Sequence, residues 1–410
     1  MRGAIRTLAL STTVALAGCG GTAVSDRAGA MVCSQSQAYV GSALHAPFPA
    51  SAFPSPGPAA ASTAVPDGLA ALLDARVDAL LQQTGAPAIN VAVDLPGLGR
   101  WTATRGLARV TPPQAASEAT WFYWASVGKA LTAVLVLQLV EEGRLRLDDR
   151  LSTWYPQMPN AALITVGQLL THTSGLATNL SAAIPAPASS EAWLAAAVAT
   201  PAIECPGSVA SYSNIGFELL GRIVQVVEQQ PFDAILQRRV AVPLGLNQLR
   251  ALHEGEAQVA ALATPHLGRE PTSDPGQWLR IGAGNVIAGA QDVAAVWRAV
   301  LEGRLLRPQT VARQWSMLYP IADSGTAGPS TARSWFGQGV MLMEWTSGTG
   351  TAREWIGHLG GTPSASAVVA YDALSAAYVA AAVNNAVSAA AVANAMLDVM
   401  ARWRTDHPSR

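Results

Sequence analysis

Residues 125–143 read ASVGKALTAVLVLQLVEEG, an apolar stretch in which a serine precedes a lysine by three positions. Its apolar residues recur at helical spacing from Val127 onward, and Gly143 is suited to the end of a helix. Ser126 and Lys129 then share one face at the start of that helix, because side chains three positions apart are neighbours there. The stretch therefore predicts a hydroxyl and an amine in contact at a helix N-terminus.

Lys129 is the only lysine of the chain, beside 25 arginines. Arginine keeps its proton in proteins, whereas burial or a nearby positive field can neutralise a lysine. A free lysine has a pKa of ~10.4 and a useful general base one of ~7–8, so the shift costs roughly 3–4 kcal/mol. The spacing alone is a weak signal, since a serine precedes a single lysine by three positions about one time in fifteen.

Two later tripeptides offer polar groups that could join this pair. Residues 212–214 read YSN before a helical run, and residues 358–361 read HLGG before a strand-like run. Tyr212 can relay a proton, Asn214 can hold an amide or carbonyl, and His358 can shuttle a proton or meet an anion. Taken alone, the first also fits a core tyrosine with a capping asparagine, and the second a turn with a structural histidine.

Composition and missing motifs exclude several classes of function. The chain has a net charge of −1 with 50% hydrophobic and 13% charged residues, which predicts a globular core and no nucleic-acid partner. The sequence lacks G-x-S-x-G, a phosphate-binding loop, H-E-x-x-H and a dinucleotide fingerprint. Its six histidines show no metal-ligand spacing. We therefore expect neither a metal nor a cofactor.

The motifs SVGK, YSN and HLG occur in the order found in the serine β-lactamase-related family, which the chain resembles over about residues 66–405. That family includes class C β-lactamases, D-Ala-D-Ala carboxypeptidases, D-aminopeptidases and esterases. EEGRLRLDD at 141–149, LLTHTSGL at 169–176 and AGNVI at 283–287 also resemble it. The resemblance implies an α+β fold of the β-lactamase/transpeptidase type. Its antiparallel sheet is flanked by N- and C-terminal helices, with a mainly helical lobe inserted at about 120–300.

The same resemblance assigns roles to the motif residues. It implies that Ser126 is the acylated nucleophile, that Lys129 activates it, and that Tyr212 is the second acid/base. Asn214 would orient the substrate, and His358 is a further catalytic candidate. Which of Lys129 and Tyr212 takes the first proton is left open.

Backbone groups and a second histidine complete the implied site. Gly360 and Gly361 are candidate substrate-binding residues, and the N–H groups of Ser126 and Gly361 would form the oxyanion hole. His172 is expected to belong to the scaffold and not to a serine–histidine triad.

Leu359 departs from the family pattern and affects the expected substrate. The usual threonine or serine hydroxyl there helps to bind a substrate carboxylate, and leucine has no such donor. Unless Thr362, Arg280 or Arg353 replaces that contact, penicillins and D-Ala-D-Ala peptides lose an anchor. We expect a hydrolase of small ester or amide substrates, including D-amino-acid peptides. The alternatives are a D-Ala-D-Ala carboxypeptidase or β-lactamase, and a slowly acylating penicillin-binding-like sensor or scaffold.

The N-terminal residues predict export and anchoring. Arg2 and Arg6 precede a short apolar run, and LAGC at 16–19 resembles a lipoprotein cleavage box. Residues 1–18 are thus an expected signal peptide, and Cys19 is an expected lipidation site in the bacterial cell envelope. Residues 19–65, rich in Pro, Ala and Ser, are expected to be a tether to the catalytic domain at 66–405. Whether Cys33 and Cys205 form a disulfide is left open. The lipid would be the only contact with the membrane, and the oligomeric state is not predicted.

Overall fold

A computed structural model describes residues 24–25, 31–54, 63–182, 189–253, 256, 259–272, 280–320, 334–346, 350 and 352–407. The expected signal peptide at 1–18 and the expected lipidation site Cys19 lie outside these residues. Within the described part of the chain, no helix combines the length and apolarity needed to cross a membrane.

A nine-stranded antiparallel sheet forms the centre of the molecule, with the strand order β11-β12-β13-β14-β15-β16-β3-β4-β5. A three-stranded sheet with the order β6-β10-β7 lies beside it. The strands are β1 (Val24–Ser25), β2 (Met31–Val32), β3 (Ala88–Leu95), β4 (Gly99–Arg109), β5 (Gln114–Ala115), β6 (Phe122–Tyr123), β7 (Leu249–Ala251), β8 (His266–Leu267), β9 (Glu270–Pro271), β10 (Val286–Ala288), β11 (Tyr319–Pro320), β12 (Ser334–Phe336), β13 (Met341–Thr346), β14 (Ala352–Thr362), β15 (Ala365–Asp372) and β16 (Ala377–Val383).

Helices cover both faces of the large sheet and build a second lobe. They are α1 (Asp67–Thr84), α2 (Gly128–Glu141), α3 (Val166–Leu170), α4 (Ser190–Ala199), α5 (Asn214–Glu228), α6 (Phe232–Leu236), α7 (Val242–Leu244), α8 (Ala290–Leu301), α9 (Pro308–Gln314) and α10 (Ala389–Asp406). The first and last helices pack on each other and on one face of the sheet. The expected α+β arrangement of the β-lactamase/transpeptidase type is therefore confirmed.

The central strand β3 is buried along its whole length, and its alternation assigns each face to a helix layer. Ile89, Val91 and Val93 pack in the core beneath α1 and α10. Ala88 and Ala92 point to the opposite core, where α8 lies against the sheet. Small side chains on that face allow α8 to approach the sheet closely. On the opposite face, burial of each aliphatic side chain contributes roughly 1.5–3 kcal/mol to the free energy of folding.

The inserted lobe is smaller than the sequence predicts. The expected insert at about 120–300 includes α8, yet α8 packs on β3 and β16 of the main sheet. The main-chain N–H of Ala290, at the start of α8, also donates to the side chain of Asn90 in β3 at 2.7 Å. The lobe therefore ends before α8, because this helix carries the apolar face that covers the sheet.

Two parts of the sheet differ from what their sequences suggest. The run FGQGVMLMEW at 336–345 reads as one strand, but it forms a hairpin in which β12 and β13 are joined around Gly337 and Gly339. Gly339 has φ 71°, a turn conformation that glycine adopts without strain. Strand β14 was missed because its sequence contains three glycines, yet it pairs with β13 and β15 in the sheet.

Residues 31–54 also differ from the predicted tether, because they lie against the domain. Cys33 and Cys205 form a disulfide, which answers the question that the sequence left open. Further along, the N–H groups of Gln37 and Val40 donate to main-chain oxygens of the domain. The prolines of this segment do exclude long helices and strands, but its polar groups find partners on the folded surface.

Candidate active site

Ser126 lies in a one-turn 3₁₀ helix, Ala125–Val127, that leads directly into α2. Ala125 has φ 44°, a left-handed conformation that is uncommon for a residue other than glycine. Trp124 fixes the turn from behind, since its main-chain N–H and its indole N–H donate to Val286 and Ala288 of β10, both at 3.0 Å. The turn thus presents the Ser126 hydroxyl at a defined position between the sheet and the helical lobe.

Lys129 is fully buried, and its amine contacts three oxygens. Its Nζ lies 2.9 Å from Ser126 Oγ, 2.7 Å from Asn214 Oδ1 and 2.7 Å from the carbonyl oxygen of Ala283. The amide and carbonyl oxygens can only accept, whereas a hydroxyl can also donate. A neutral amine has two N–H groups for these two acceptors, and its lone pair then faces the hydroxyl of Ser126. The arrangement fits a base that removes the serine proton.

The surroundings of Lys129 favour that neutral form. Burial lowers the pKa of Lys129 well below its ordinary value, and the nearby positive charge of Arg280 lowers it further. The carboxylate of Glu218 opposes this effect, and it forms an ion pair with Arg280 at 3.0 Å. Because the two charges are paired with each other, desolvation is the main cause of the shift.

Tyr212 stands across the site from Lys129. Lys129 Nζ lies 4.9 Å from the centre of the Tyr212 ring, and Ser126 is close enough to the Tyr212 hydroxyl to affect its pKa. Burial raises the pKa of Tyr212 above its ordinary value, with Ser126 and the charge of Arg280 lowering it only in part. The side chain is therefore a neutral phenol, able to donate a proton.

The local fold of the YSN tripeptide explains how Tyr212 is held. Ser213 is the N-cap of α5, and its Oγ accepts from the N–H of Gly216 at 3.0 Å. Its own N–H donates to Nδ1 of His172 at 3.0 Å. The His172 ring stacks on Tyr212 with ring centres 4.4 Å apart, so it serves the scaffold and forms no triad with Ser126.

Asn214 has two side-chain partners within the site. Its Oδ1 accepts from Lys129, and its Nδ2 donates to Asn179 Oδ1 at 2.8 Å. Both ends of the amide are thus occupied, and the side chain orients the lysine. Asn179 and the Ala283 carbonyl were missed by sequence reasoning. A backbone oxygen has no sequence signal of its own, and only the AGNVI resemblance indicated that this segment belongs to the site.

His358 is enclosed by the protein. It is fully buried, and burial together with the charge of Lys129 lowers the pKa of His358 to about 3. Its Nδ1 lies 2.6 Å from the carbonyl oxygen of Leu359, and its Nε2 has no hydrogen-bond partner among the described residues. A neutral, enclosed imidazole does not attract an anion, so of the two abilities considered for His358, meeting an anion is not favoured.

The two glycines of the HLGG motif have different surroundings. A Cβ on Gly360 would lie 2.4 Å from the carbonyl oxygen of Trp124 and 3.0 Å from the nitrogen of Ser126, so β14 touches the serine turn here. A Cβ on Gly361 would meet no atom within 4 Å, and this residue is exposed. The exposed Gly361 beside the Ser126 turn suits an oxyanion hole formed by these two N–H groups.

The residues expected to compensate for Leu359 are not equally placed. Arg353 is buried and forms an ion pair with Asp372, so it is engaged in the core. Thr362 follows Gly361 directly. Arg280 forms an ion pair with Glu218, and its positive charge lowers the pKa of Lys129. Thr362 and Arg280 are partly exposed, whereas Arg353 is buried.

One cluster of potential metal ligands occurs among the described residues, away from Ser126. His45, Glu344 and Glu354 bring three ligand atoms within 4.8 Å of one another. His45 Nε2 lies 3.6 Å from a carboxylate oxygen of Glu354, and the His45 ring packs on Trp335 with ring centres 4.4 Å apart, so these side chains already have partners within the protein.

Comparisons with known proteins agree with this geometry. The beta-lactamase family profile matches residues 73–401. Penicillin-binding protein 4 of Amycolatopsis lactamdurans is 36% identical over 206 residues, covering 49% of this chain and 53% of that protein. Esterase EstB of Burkholderia gladioli is 32% identical over 198 residues, covering 43% and 50% respectively. The chain thus matches about half the length of these two curated relatives.

The fold has solved counterparts. The D-amino acid amidase from Ochrobactrum anthropi SV3 superposes with a TM-score of 0.72 at 20% identity, over 82% of this chain and 100% of that one. At this identity the likeness concerns the fold alone. The family profile covers most of the chain and includes all three motifs, and it therefore places this protein in the beta-lactamase family of serine enzymes.

Proposed function

We propose that the protein is a serine hydrolase that cleaves small ester or amide substrates through an acyl-enzyme on Ser126. The observation that carries the proposal is the buried amine of Lys129, whose two acceptor partners leave its lone pair for the Ser126 hydroxyl. A serine is a weak nucleophile unless a base takes its proton, and this contact supplies the base.

The acylation step follows from the positions of the groups. Lys129 takes the hydroxyl proton as Ser126 Oγ bonds to the substrate carbonyl carbon, and the resulting oxyanion accepts from the N–H groups of Ser126 and Gly361. Tyr212 then gives its proton to the leaving oxygen or nitrogen as that bond breaks. The proton held by Lys129 restores the phenol. The raised pKa of Tyr212 supports Lys129, and not Tyr212, as the first base.

Hydrolysis reverses these roles with water as the nucleophile. The free amine of Lys129 accepts a proton from water, either directly or through Tyr212, whose phenol passes its own proton to the amine as it takes one from water. The hydroxide then attacks the acyl carbon. The ester bond to Ser126 breaks, and the proton returns to its Oγ. The acid is released, and the site regains its starting protonation.

The proposed substrates are esters and amides, including D-amino-acid peptides. Relatives named as an esterase and as a D-alanyl-D-alanine-carboxypeptidase/endopeptidase support this range. Leu359 has no hydroxyl for a substrate carboxylate, so the usual anchor for that group is absent, and the neutral His358 supplies no charge in its place. We therefore expect weak turnover of β-lactams and stronger turnover of substrates without the carboxylate.

A two-stage experiment tests the proposal. The intact protein should gain the mass of one fluorophosphonate adduct, and Ser126→Ala should gain none. Initial rates are then compared for p-nitrophenyl esters, D-amino-acid amides, D-Ala-D-Ala peptides and nitrocefin. Labelling with turnover of esters or amides supports the hydrolase. Covalent penicillin binding without turnover supports the slowly acylating sensor instead, and absence of labelling refutes both.

We also propose that the protein is exported and anchored through a lipid on Cys19. The LAGC sequence at 16–19 supports this, as does the Cys33–Cys205 disulfide, because such bonds persist in oxidising compartments. Expression with a labelled fatty acid in a bacterium that processes lipoproteins should label the wild type but not Cys19→Ala. Equal labelling, or recovery of both proteins in the soluble fraction, would contradict the anchor.

A further inference from the structure

Residues 31–53, here called the N-terminal strap, are joined to the chain segment that leads to Tyr212. Cys33 forms the disulfide with Cys205. The N–H of Gln37 donates to the carbonyl of Pro206 at 2.7 Å, and that of Val40 donates to Ser208 at 2.8 Å. The strap thus follows residues 205–208, which end four positions before Tyr212.

The opposite side of this segment is held by the turn that carries His172. The N–H of Gly207 donates to the carbonyl of Thr173 at 2.7 Å, and that of Ser211 donates to His172 at 2.8 Å. Residues 205–211 are therefore enclosed between the strap and the turn whose histidine stacks on Tyr212.

Gly207 shows how closely the strap is fitted. Its φ is +92°, and a Cβ there would lie 2.2 Å from the carbonyl oxygen of Gln37. Ser36 adds a polar link on the same side, because its Oγ donates to the carbonyl of Pro206 at 3.0 Å and accepts from Gln168 at 3.0 Å. The strap therefore occupies a matched surface beside the Tyr212 segment.

The middle of the strap reaches Tyr212 by a second route. The ring of Tyr39 lies against Tyr319, with centres 5.1 Å apart. Tyr319 pairs with Phe336 in the sheet, and the Phe336 ring contacts Tyr212 with centres 5.5 Å apart. The strap thus packs on β11, whose partner strand β12 carries the Phe336 ring beside the phenol.

The Ser126–Lys129 pair depends on other elements. Its partners come from α2, from α5 and from the Ala283 carbonyl, and none of these contacts involves the strap. Displacing the strap should therefore affect the proton donor more than the nucleophile and its base.

Accordingly, we propose that the strap is a positioning element for Tyr212, and that the Cys33–Cys205 disulfide makes proton donation to the leaving group sensitive to redox state. This inference rests on the proposed hydrolase function. A dithiol reductant would supply two electrons and two protons, breaking the S–S bond to give two cysteine thiols while the reductant becomes a disulfide. Both cysteines are half-buried, so the bond is open to such a reagent.

The test compares two substrates that share one acyl group. A p-nitrophenyl ester releases a stable phenolate and needs no proton, whereas a p-nitroanilide releases an amine that must be protonated. In Cys33→Ser/Cys205→Ser, kcat/KM for the anilide should fall about 10- to 100-fold, as expected for a catalytic group displaced by up to ~1 Å. The value for the ester should stay within about threefold, and dithiothreitol should change the wild type alone.

Tyr212→Phe supplies the decisive control. If the strap acts through the phenol, adding the cysteine substitutions to Tyr212→Phe should cause no further loss on the anilide. Equal losses on the ester and the anilide would overturn the proposal, as would a loss that persists without the Tyr212 hydroxyl. Circular dichroism and thermal unfolding show whether each variant is folded.

Hydrogen exchange keeps the inference testable apart from catalysis. Reduction of the wild type should increase amide exchange in a peptide covering 203–214, since the N–H groups of Gly207, Ser211 and Ser213 all have partners there. A peptide from α2 should be unchanged. Unaltered exchange at 203–214 would overturn the strap inference, whereas a wild type that neither labels nor hydrolyses would overturn the proposed function.

Discussion

Gly360→Ala tests the contact between β14 and the serine turn. The added Cβ would lie 2.4 Å from the carbonyl oxygen of Trp124, 3.0 Å from the nitrogen of Ser126 and 3.1 Å from that of Val127. All three are backbone atoms, so no flexible side chain can make room. Ordinary van der Waals contact begins at 3.4 Å, and the strand and the turn must therefore separate by about 1 Å.

That separation acts directly on catalysis. A misplacement of ~1 Å costs about 10²-fold in rate, or roughly 2.7 kcal/mol in activation free energy. The same overpacking should cost about 1–3 kcal/mol in the free energy of unfolding. We expect Gly360→Ala to lower kcat/KM for a p-nitrophenyl ester about 100-fold, with a matching decrease in the rate of fluorophosphonate labelling.

Gly68→Ala is the matched control, because Gly68 lies in α1 and takes no part in the site. Its Cβ would lie 3.5 Å from ring atoms of Trp403, which is ordinary van der Waals contact. Its kcat/KM should stay within about threefold of the wild type. The reasoning is refuted if folded Gly360→Ala keeps wild-type rates, or if both variants lose activity equally.

Three further outcomes follow from the buried charges. Lys129→Arg keeps a positive charge but cannot act as a base. The rate of fluorophosphonate labelling, measured by mass spectrometry of the intact protein, should therefore fall about 10²- to 10⁴-fold. A wild-type labelling rate would exclude Lys129 as the base. Burial lowers the pKa of His358 to about 3, below its unfolded value of ~6.5. Between these values the unfolded state binds more protons, so this histidine should lower the free energy of unfolding by up to ~1.4 kcal/mol per pH unit as pH falls. In denaturant unfolding, His358→Gln should show a smaller dependence of that free energy on pH. An equal pH dependence in the variant and the wild type would contradict the assignment. Arg298→Met leaves the buried carboxylates of Asp94 and Glu302 without this partner and should lower the free energy of unfolding by about 3–5 kcal/mol, whereas a change below about 1 kcal/mol would show that the network is dispensable.

Local signals in the sequence predict the innermost strands of the sheet and the Ser126–Lys129 pair. The alternating apolar residues of β3 and the apolar run of β16 predict buried strands, and both lie at the centre of the sheet. The helical pattern after Val127 correctly places the serine and the lysine on one face of a helix start. In these elements, neighbouring residues alone determine the conformation.

Long-range partners explain what the sequence did not reveal. Strand β14 is rich in glycine because its backbone must approach the serine turn, and this composition resembles a loop when its neighbours are unknown. The strap contains the prolines and small residues of a linker, but a disulfide and main-chain hydrogen bonds fix it to the domain. The partners of Asn214 likewise become visible only when the lobes are assembled.

The chemistry of the site depends on how well the lobes enclose one amine. Glu218 and Arg280 have opposite effects on the pKa of Lys129 and neutralise each other as an ion pair, so burial remains the main force that keeps the amine neutral. Burial has this effect only while α2 and α5 are packed together, because they enclose the amine with the Ala283 segment. Nucleophile activation is therefore a property of the assembled helical lobe, whereas proton donation by Tyr212 depends on the segment between that lobe and the strap. A change in the helical lobe can accordingly impair activation of Ser126, whereas a change in the strap can impair proton donation by Tyr212 and leave activation of Ser126 intact.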